Sequence, residues 1–216
     1  MKEKPSEWVA IADLMSGVMA VVMLLLVVSV LQKSIAETQQ HLEKSSGYEA
    51  QRKAVLSVMQ GIRANLEQQG AASLVSFDLG ALKMTLPDRL FSRSSACIPL
   101  QERNRFAAIS LSIQELLEKN PDITIYVDGH TDNVAVSNPV TDFQKFCTVY
   151  DDNYTLSAAR AREVRKLVAG SLSHHLSRRV IVAGYGDSRP LPGISPDSAA
   201  NRRVEIRLSV EKSDGA

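Results

Sequence analysis

An apolar run from Trp8 to Leu31 contains one charged residue, Asp13, and is otherwise free of charge. A helix of about 20 apolar residues is long enough to cross a bilayer. The run therefore predicts one transmembrane helix, and any water-soluble domain must be built from the residues after it. It is too long for a cleavable signal peptide, and no clear small-residue cleavage site follows it. We interpret it as an uncleaved signal anchor.

Asp13 lies near the start of this helix, where a carboxylate is costly and indicates a function. Ser16, Gly17 and Ala20 follow at i+3, i+4 and i+7, so they share the helical face of Asp13. Small residues allow another helix to approach closely, which favours a partner helix on this face. The alternative is that Asp13 lies at headgroup level and that Leu14 to Leu31 spans the bilayer alone.

Length and charge limit what the rest of the chain can be. The chain has 216 residues and a net charge of +1, which allows a membrane anchor, a linker and one domain of about 100–150 residues. The near-neutral charge argues against a nucleic-acid partner. We divide the chain into a short tail (1–7), a transmembrane helix (8–31), a helical linker (32–70) and a domain (71–216).

The linker has apolar residues at helical spacing. Two runs repeat a 4-3-4 spacing: Leu31, Ile35, Thr38 and Leu42, then Val55, Met59, Ile62 and Leu66. This heptad spacing predicts a short dimeric coiled coil or a helix packed on a partner. An amphipathic helix packed on the domain of the same chain explains the spacing equally well. Gly70 is the expected end of the helix.

The remaining residues alternate between strand and helix patterns. We expect strands at about 74–79, 81–86, 123–127, 180–183 and 203–210, and helices at 100–119 and 156–172. Helices interleaved with strands indicate an α/β fold, here a two-layer α+β domain.

The two cysteines, Cys97 and Cys147, both follow the membrane span. An even pair in an oxidising compartment permits one disulfide, and two free thiols are the alternative. The sequence has no Walker A loop, no Cys or His cluster at metal spacing and no nucleophile elbow. We therefore expect no enzyme activity, no metal site and no cofactor.

Four motifs follow one another in the second half of the chain. They are Gly129-His130-Thr131-Asp132, Asn153-Tyr154-Thr155-Leu156-Ser157-Ala158-Ala159-Arg160-Ala161, Gly184-Tyr185-Gly186-Asp187-Ser188-Arg189-Pro190 and Asn201-Arg202-Arg203-Val204-Glu205-Ile206. Their order and residues resemble the OmpA-like peptidoglycan-binding domain, over about Leu82 to Val210.

The resemblance implies a binding site for the diaminopimelate of the peptidoglycan stem peptide. By the family pattern, Asp132 and Arg160 would hold the ligand, and a carboxylate and a guanidinium suit its ammonium and carboxylate. Thr131, Asn153 and Leu156 would line the same pocket. The chain departs from the family in a longer insertion, 133–152, which carries Cys147 and is expected to cover or reshape the pocket.

The N-terminal residues carry a second resemblance. The segment from Trp8 to Met19, with Leu90 to Ala96, is similar to the B subunits of ion-driven stators, MotB and its relatives. This implies a homodimer in the bacterial inner membrane, surrounded by a ring of a multi-span A-type subunit. The N-terminus would be cytoplasmic and the domain periplasmic. Asp13, with Ser16 beside it, would carry an ion. We favour a proton over sodium, because sodium sites need several oxygen ligands and only Ser16 is available beside Asp13 on this helix. The exported cysteines would form a disulfide.

Two branches of this class are compatible with the residues. One is the flagellar stator subunit, and the other is the ZorB subunit of the Zorya anti-phage system. The short tail before Trp8, the compact linker and the insertion with its paired cysteines favour the Zorya branch. A passive wall tether without ion flow is the alternative from another functional class.

Overall fold

The computed structural model describes residues 7–210, which form two compact units divided between Gly47 and Tyr48. Helix α1, Glu7–Gln68, contributes to both units. In the first unit it contains Ile11–Gln39, which is long and apolar enough to cross a membrane and includes an 18-residue window with a mean hydropathy of 2.8. The long apolar helix that the sequence predicts is therefore present, whereas residues 1–6 of the expected tail lie outside the described part of the chain.

The C-terminal part of α1 belongs to the second unit. Its apolar stripe is fully buried in the core of that unit and comprises Val55, Met59, Ile62 and Leu66. Gln51, on the same part of the helix, donates a hydrogen bond of 2.7 Å to Asp122. The second compact unit thus begins at Tyr48 rather than at the expected residue 71. The difference has a physical reason, because heptad spacing defines an apolar face but not the surface that buries it.

The helix ends as its glycine predicts. Gly70 adopts a φ of +66°, and the N–H of Ala71 donates to the carbonyl of Leu66 at 2.8 Å. A left-handed glycine allows the chain to turn back and satisfy the last carbonyls of a helix. In the earlier heptad run, Leu31 and Ile35 are exposed, and the side chain of Leu42 lies outside the described part. A coiled coil at that run stays a prediction.

A mixed five-stranded sheet forms the centre of the second unit, with strand order β1-β2-β5-β3-β4. Strands β3 and β4 are parallel, and the other neighbouring pairs are antiparallel. The predicted α/β fold class is confirmed. The strands are β1 Ser76–Asp78, β2 Lys83–Pro87, β3 Ile123–His130, β4 Val180–Gly184 and β5 Arg203–Val210.

The helices of this unit pack on one another and on the sheet. Helix α4 packs on β3 and β4, and α2 packs against α4. Alternate residues of β3, Ile123, Ile125 and Val127, are buried in the core, as the period of a strand requires. The helices are α2 Leu100–Lys119, α3 Phe143–Phe146, α4 Asn153–Ala169 and α5 His174–Ser177.

Helix α2 has the predicted bounds, whereas α4 begins three residues before the expected Leu156. The earlier start is explained by Asp152, whose carboxylate accepts a hydrogen bond of 2.7 Å from the N–H of Thr155. This side chain satisfies one of the free N–H groups of the first helical turn.

We expect a fragment that begins at Ala71 to be much less stable than one that begins at Tyr48. The shorter fragment lacks the buried stripe of α1, and burial of one large apolar side chain contributes roughly 1.5–3 kcal/mol. Thermal unfolding of both fragments by circular dichroism measures the difference.

In the longer fragment, Met59→Ala should lower the free energy of unfolding by about 2–5 kcal/mol, whereas Gln60→Ala at the exposed neighbouring position should lower it little. Equal stability of the two fragments would contradict the assignment of residues 48–68 to this unit.

Candidate functional site

The end of β3 and the start of α4 are held close together by a glycine. A Cβ on Gly129 would lie 2.0 Å from the carbonyl oxygen of Ser157, so no larger residue fits without a shift of backbone. The residues that follow β3 are therefore placed beside the first turns of α4. The N–H of Thr131 donates to the carbonyl of Gly186 at 2.8 Å, which joins the loop after β3 to the loop after β4. In this way the first three sequence motifs meet at one end of the sheet.

A cavity of about 570 Å³ opens at this place. Pockets for small ligands commonly have volumes of about 300–1,000 Å³. The cavity brings together all five residues for which the sequence predicts wall binding: Thr131, Asp132, Asn153, Leu156 and Arg160. It is also lined by Asp88 and Arg202, to which the sequence analysis assigns no role.

Arg160 is buried at the cavity and is held on three sides. Its Nε donates to the carbonyl of Ser95 at 3.0 Å, and its Nη1 lies 2.9 Å from Oδ1 of Asp88. Its guanidinium carbon lies 5.1 Å from the centre of the Phe91 ring. Burial lowers the pKa of Arg160, and the Asp88 carboxylate offsets only part of this decrease. An arginine keeps its charge in such surroundings, so the cavity contains a fixed cation.

Asp132 and Arg160 are connected through two further charged residues, Arg202 and Asp88. Nη1 of Arg202 contacts Oδ2 of Asp132 at 2.6 Å, and its Nε contacts Oδ2 of Asp88 at 3.1 Å. The hydrogen bond to Asp132 is the largest effect on Arg202 and raises its pKa. The four charged side chains therefore form one network with alternating signs.

Three buried polar atoms at the cavity have no aligned hydrogen-bond partner among the described residues 7–210: Oγ1 of Thr131, Oδ1 of Asp88 and Nη1 of Arg160. The last two form an ion pair by distance, but their geometry is not that of a hydrogen bond. Buried polar groups in native proteins are usually hydrogen-bonded. Unused donors and acceptors at one cavity are the arrangement expected of a polar ligand site.

Asn153 and Leu156 shape the cavity in different ways. Nδ2 of Asn153 donates to the carbonyl oxygens of Asp132 and Val134 at 3.2 and 3.0 Å. Its amide nitrogen therefore holds the loop after β3 in place. Leu156 is buried and contributes an apolar surface to the same cavity.

A sequence model of the OmpA family matches residues 90–204, which is more than half of the 216 residues. The chain belongs to the OmpA family. The OmpA-like resemblance that its four motifs carry is thereby confirmed, and all five predicted wall-binding residues lie within the matched range.

Solved structures with a similar fold include a MotB-like protein from Desulfovibrio vulgaris. Its TM-score is 0.56 and its identity 22%, over 78% of this chain and 99% of that one. The periplasmic domain of Helicobacter pylori MotB matches with a TM-score of 0.45 and 23% identity, over 61% of this chain and 78% of that one.

The cell wall anchor of the T6SS from Pseudomonas aeruginosa is also similar, with a TM-score of 0.46 and 27% identity. The match covers 69% of this chain and 97% of that one. Among curated protein sequences, none matches this chain. The Zorya branch stays a prediction.

The insertion 133–152 of the OmpA domain forms one wall of the cavity. Cys147 is joined to Cys97 by a disulfide with a Cα–Cα distance of 5.1 Å. The carbonyl of Phe146 accepts hydrogen bonds from the N–H of Ala96 at 3.0 Å and from the hydroxyl of Ser95 at 2.8 Å. Because Ser95 also accepts the Nε–H of Arg160 on its carbonyl, the insertion is tied to the segment that orients this arginine. The insertion therefore borders the cavity and reshapes its wall.

We expect Cys97 and Cys147 to be linked in protein purified without reductant, with no free thiol detected by mass spectrometry. Replacing both by serine should lower the free energy of unfolding by up to about 4 kcal/mol, the chain-entropy value for a loop of this size. Their sequence separation is 50 residues. Denaturant unfolding of wild type and of the double variant measures the change. The wild type in dithiothreitol is the matched control, and detection of two free thiols would contradict the pairing.

The sequence analysis missed Asp88 and Arg202. Asp88 lies just before the segment Leu90 to Ala96, and Arg202 lies inside the fourth motif, so both adjoin sequence that the resemblance singles out. No local pattern assigns them a partner, because 114 residues separate them in sequence. Their contact follows from the way β2 and β5 pair.

Asp13 and Ser16 lie on the part of α1 that can cross a membrane. Both are exposed along the helix. The hydroxyl of Ser16 donates to the main-chain oxygen of Asp13 at 2.9 Å, rather than to its carboxylate. Such a bond, from a serine to the carbonyl three residues earlier, is common in helices.

Proposed function

We propose that this chain is the B-type subunit of a proton-driven motor in the bacterial inner membrane. In this proposal Asp13 carries the proton, and the OmpA domain anchors the complex to peptidoglycan. The N-terminus lies in the cytoplasm and the OmpA domain in the periplasm. The protein binds ligand and carries ions but performs no covalent catalysis.

The observation that carries the wall-binding part is the cavity with Asp132 and Arg160 on its walls. Diaminopimelate in a stem peptide ends in an ammonium and a carboxylate on one carbon. Asp132 would accept the ammonium, and Arg160 would bind the carboxylate with two parallel hydrogen bonds. Thr131 supports this assignment, because its buried hydroxyl has no hydrogen-bond partner in the part of the chain that the structure describes. Leu156 would contact the aliphatic chain of the ligand.

The motor part of the proposal depends on Asp13. A passive tether has no reason to keep a carboxylate within an apolar helix, because a charged side chain is costly there. In the motor, two copies present Asp13 to a ring of a multi-span A-type subunit. Each charge that crosses the membrane gains about 2.3 kcal/mol per 100 mV. Protonation removes the charge of Asp13, and the change of contact lets the ring step around the dimer.

Within this class we favour a Zorya-type defence motor over a flagellar stator. The compact linker and the disulfide-bonded insertion 133–152 support this preference. Motility and protection against phage, measured with the same variants, separate the two roles.

The wall-binding part is tested by sedimentation of the full-length protein in detergent with purified peptidoglycan sacculi. We expect the protein to sediment with the sacculi and to be released by free meso-diaminopimelate. Protein that stays in the supernatant at all sacculus concentrations would contradict the proposal.

A further inference from the structure

The two residues that would bind the ligand already have partners inside the protein. Asp88 contacts Arg160 at 2.9 Å, and Arg202 contacts Asp132 at 2.6 Å. Asp88 and Arg202 also contact each other at 3.1 Å. Within the protein, therefore, the Asp88 carboxylate pairs with Arg160, the Arg202 guanidinium pairs with Asp132, and Asp88 and Arg202 pair with each other. This is the same arrangement of charges that an α-amino-acid zwitterion would bring into the cavity.

We propose that Asp88 and Arg202 are an internal substitute for the ligand's zwitterion and set the affinity of the pocket by competing with it. This inference rests on the proposed wall-binding function. On binding, the ligand carboxylate replaces Asp88 at Arg160, and the ligand ammonium replaces Arg202 at Asp132. We call Asp88 and Arg202 the competing pair.

The burial of the four side chains shows which of them can move. The side chains of Arg160 and Asp132 are only 5% and 9% exposed, so they are fixed in the wall of the cavity. Those of Asp88 and Arg202 are 33% and 34% exposed, so they can turn towards solvent. The two buried residues, Arg160 and Asp132, therefore form the fixed binding site, and the competing pair moves away from it when the ligand binds.

The exchange leaves no charge without a partner. Removing one member of a buried ion pair is strongly destabilising when the other stays buried. Here Asp88 and Arg202 can keep their mutual contact as they leave, while the ligand pairs with Asp132 and Arg160. A zwitterion makes both exchanges at once without changing the net charge of the pocket, whereas a simple amine or a simple acid makes only one.

The geometry of the Asp88–Arg160 contact favours the exchange. The two atoms are at ion-pair distance but are not aligned as a hydrogen bond, so Nη1 of Arg160 still has an unused donor. Asp88 is attached to the backbone of the short helical turn Asp88–Leu90, which limits its approach. A free ligand carboxylate can orient itself and form the aligned pair of bonds that a guanidinium prefers.

The first experiment measures binding of meso-diaminopimelate to the full-length protein in detergent by titration calorimetry. We expect Asp88→Asn to bind about tenfold more tightly than wild type, because the ligand carboxylate no longer competes with the Asp88 carboxylate for Arg160. The melting temperature of the ligand-free variant should fall, because Arg160 loses its carboxylate. Glu115→Gln is the matched control, since it removes an exposed carboxylate that pairs with Lys119 on the surface of α2, and it should change neither quantity appreciably.

A second pair of measurements separates the two halves of the exchange. Cadaverine, a diamine without carboxylates, should bind more tightly to Arg202→Gln than to wild type, because Asp132 is released. It should bind no more tightly to Asp88→Asn, because only the carboxylate half of the pocket has been freed.

The outcomes distinguish this inference from the function on which it rests. If wild type binds meso-diaminopimelate and folded Asp88→Asn binds it equally or more weakly, Asp88 is a ligand contact or a structural residue. The inference that Asp88 and Arg202 compete with the ligand is then wrong. If Asp88→Asn does not fold, unchanged or weaker binding of cadaverine by Arg202→Gln overturns the inference instead. If wild type binds neither sacculi nor meso-diaminopimelate, the proposed wall binding itself fails.

Discussion

Arg160→Ala is expected to release the protein from peptidoglycan sacculi, with a loss of affinity of at least about 30-fold. Truncating one partner of a buried, hydrogen-bonded charge pair commonly costs 2–5 kcal/mol of binding free energy. Arg160 is a buried cation at the cavity and contacts Asp88. In the variant, Asp88 loses this contact but keeps its contact with Arg202. The OmpA domain should therefore stay folded while the ligand carboxylate loses its partner.

Arg160→Lys should bind with intermediate affinity. Lysine keeps the positive charge but cannot form two parallel hydrogen bonds with a carboxylate. It also loses the Nε donor to the carbonyl of Ser95. The comparison of Ala, Lys and wild type thus separates the contribution of charge from that of the guanidinium geometry.

Sedimentation of the full-length variants with sacculi measures the effect, and circular dichroism checks that each is folded. Arg178→Ala is the matched control, because Arg178 is an exposed arginine at the end of α5 and does not line the cavity. If folded Arg160→Ala sediments as wild type does, the cavity is not the wall-binding site.

Asp13→Asn is expected to abolish motor function while the protein still inserts into the membrane and binds sacculi. Asparagine has nearly the same shape as aspartate and keeps hydrogen-bonding groups, but it cannot take up and release a proton at physiological pH. The loss should be complete rather than partial, because the proposal has one ion-carrying residue in each copy. Phage-protection and motility assays measure function, and membrane fractionation measures insertion.

Ser29→Ala is the control for the apolar helix, since Ser29 is also polar and exposed on the same stretch of α1. It should keep full activity. Full activity of Asp13→Asn in the assay in which wild type is active would exclude proton transfer by this residue and would favour the passive tether. Retained sacculus binding by an inactive Asp13→Asn would separate the motor part of the proposal from the wall-binding part.

Local patterns in the sequence determine much of the architecture. The apolar run in α1, the bounds of α2 and the strands β2 to β5 follow from hydrophobic periodicity, because a side chain's position along a helix or strand decides which face it occupies. Gly70 ends α1 through a φ that glycine adopts without strain. The four motifs were enough to indicate the family and to name five residues that line the cavity.

Only the tertiary structure decided which surfaces and charges meet. The stripe of α1 that contains Met59 is buried in the OmpA domain, although its spacing suited a second chain equally well. The insertion 133–152 borders the cavity because a disulfide holds it to the segment that contains Cys97. Asp88 and Arg202 meet because β2 pairs with β5, across 114 residues of sequence. Such contacts depend on the distance between atoms in the folded chain, and the order of residues does not specify this distance.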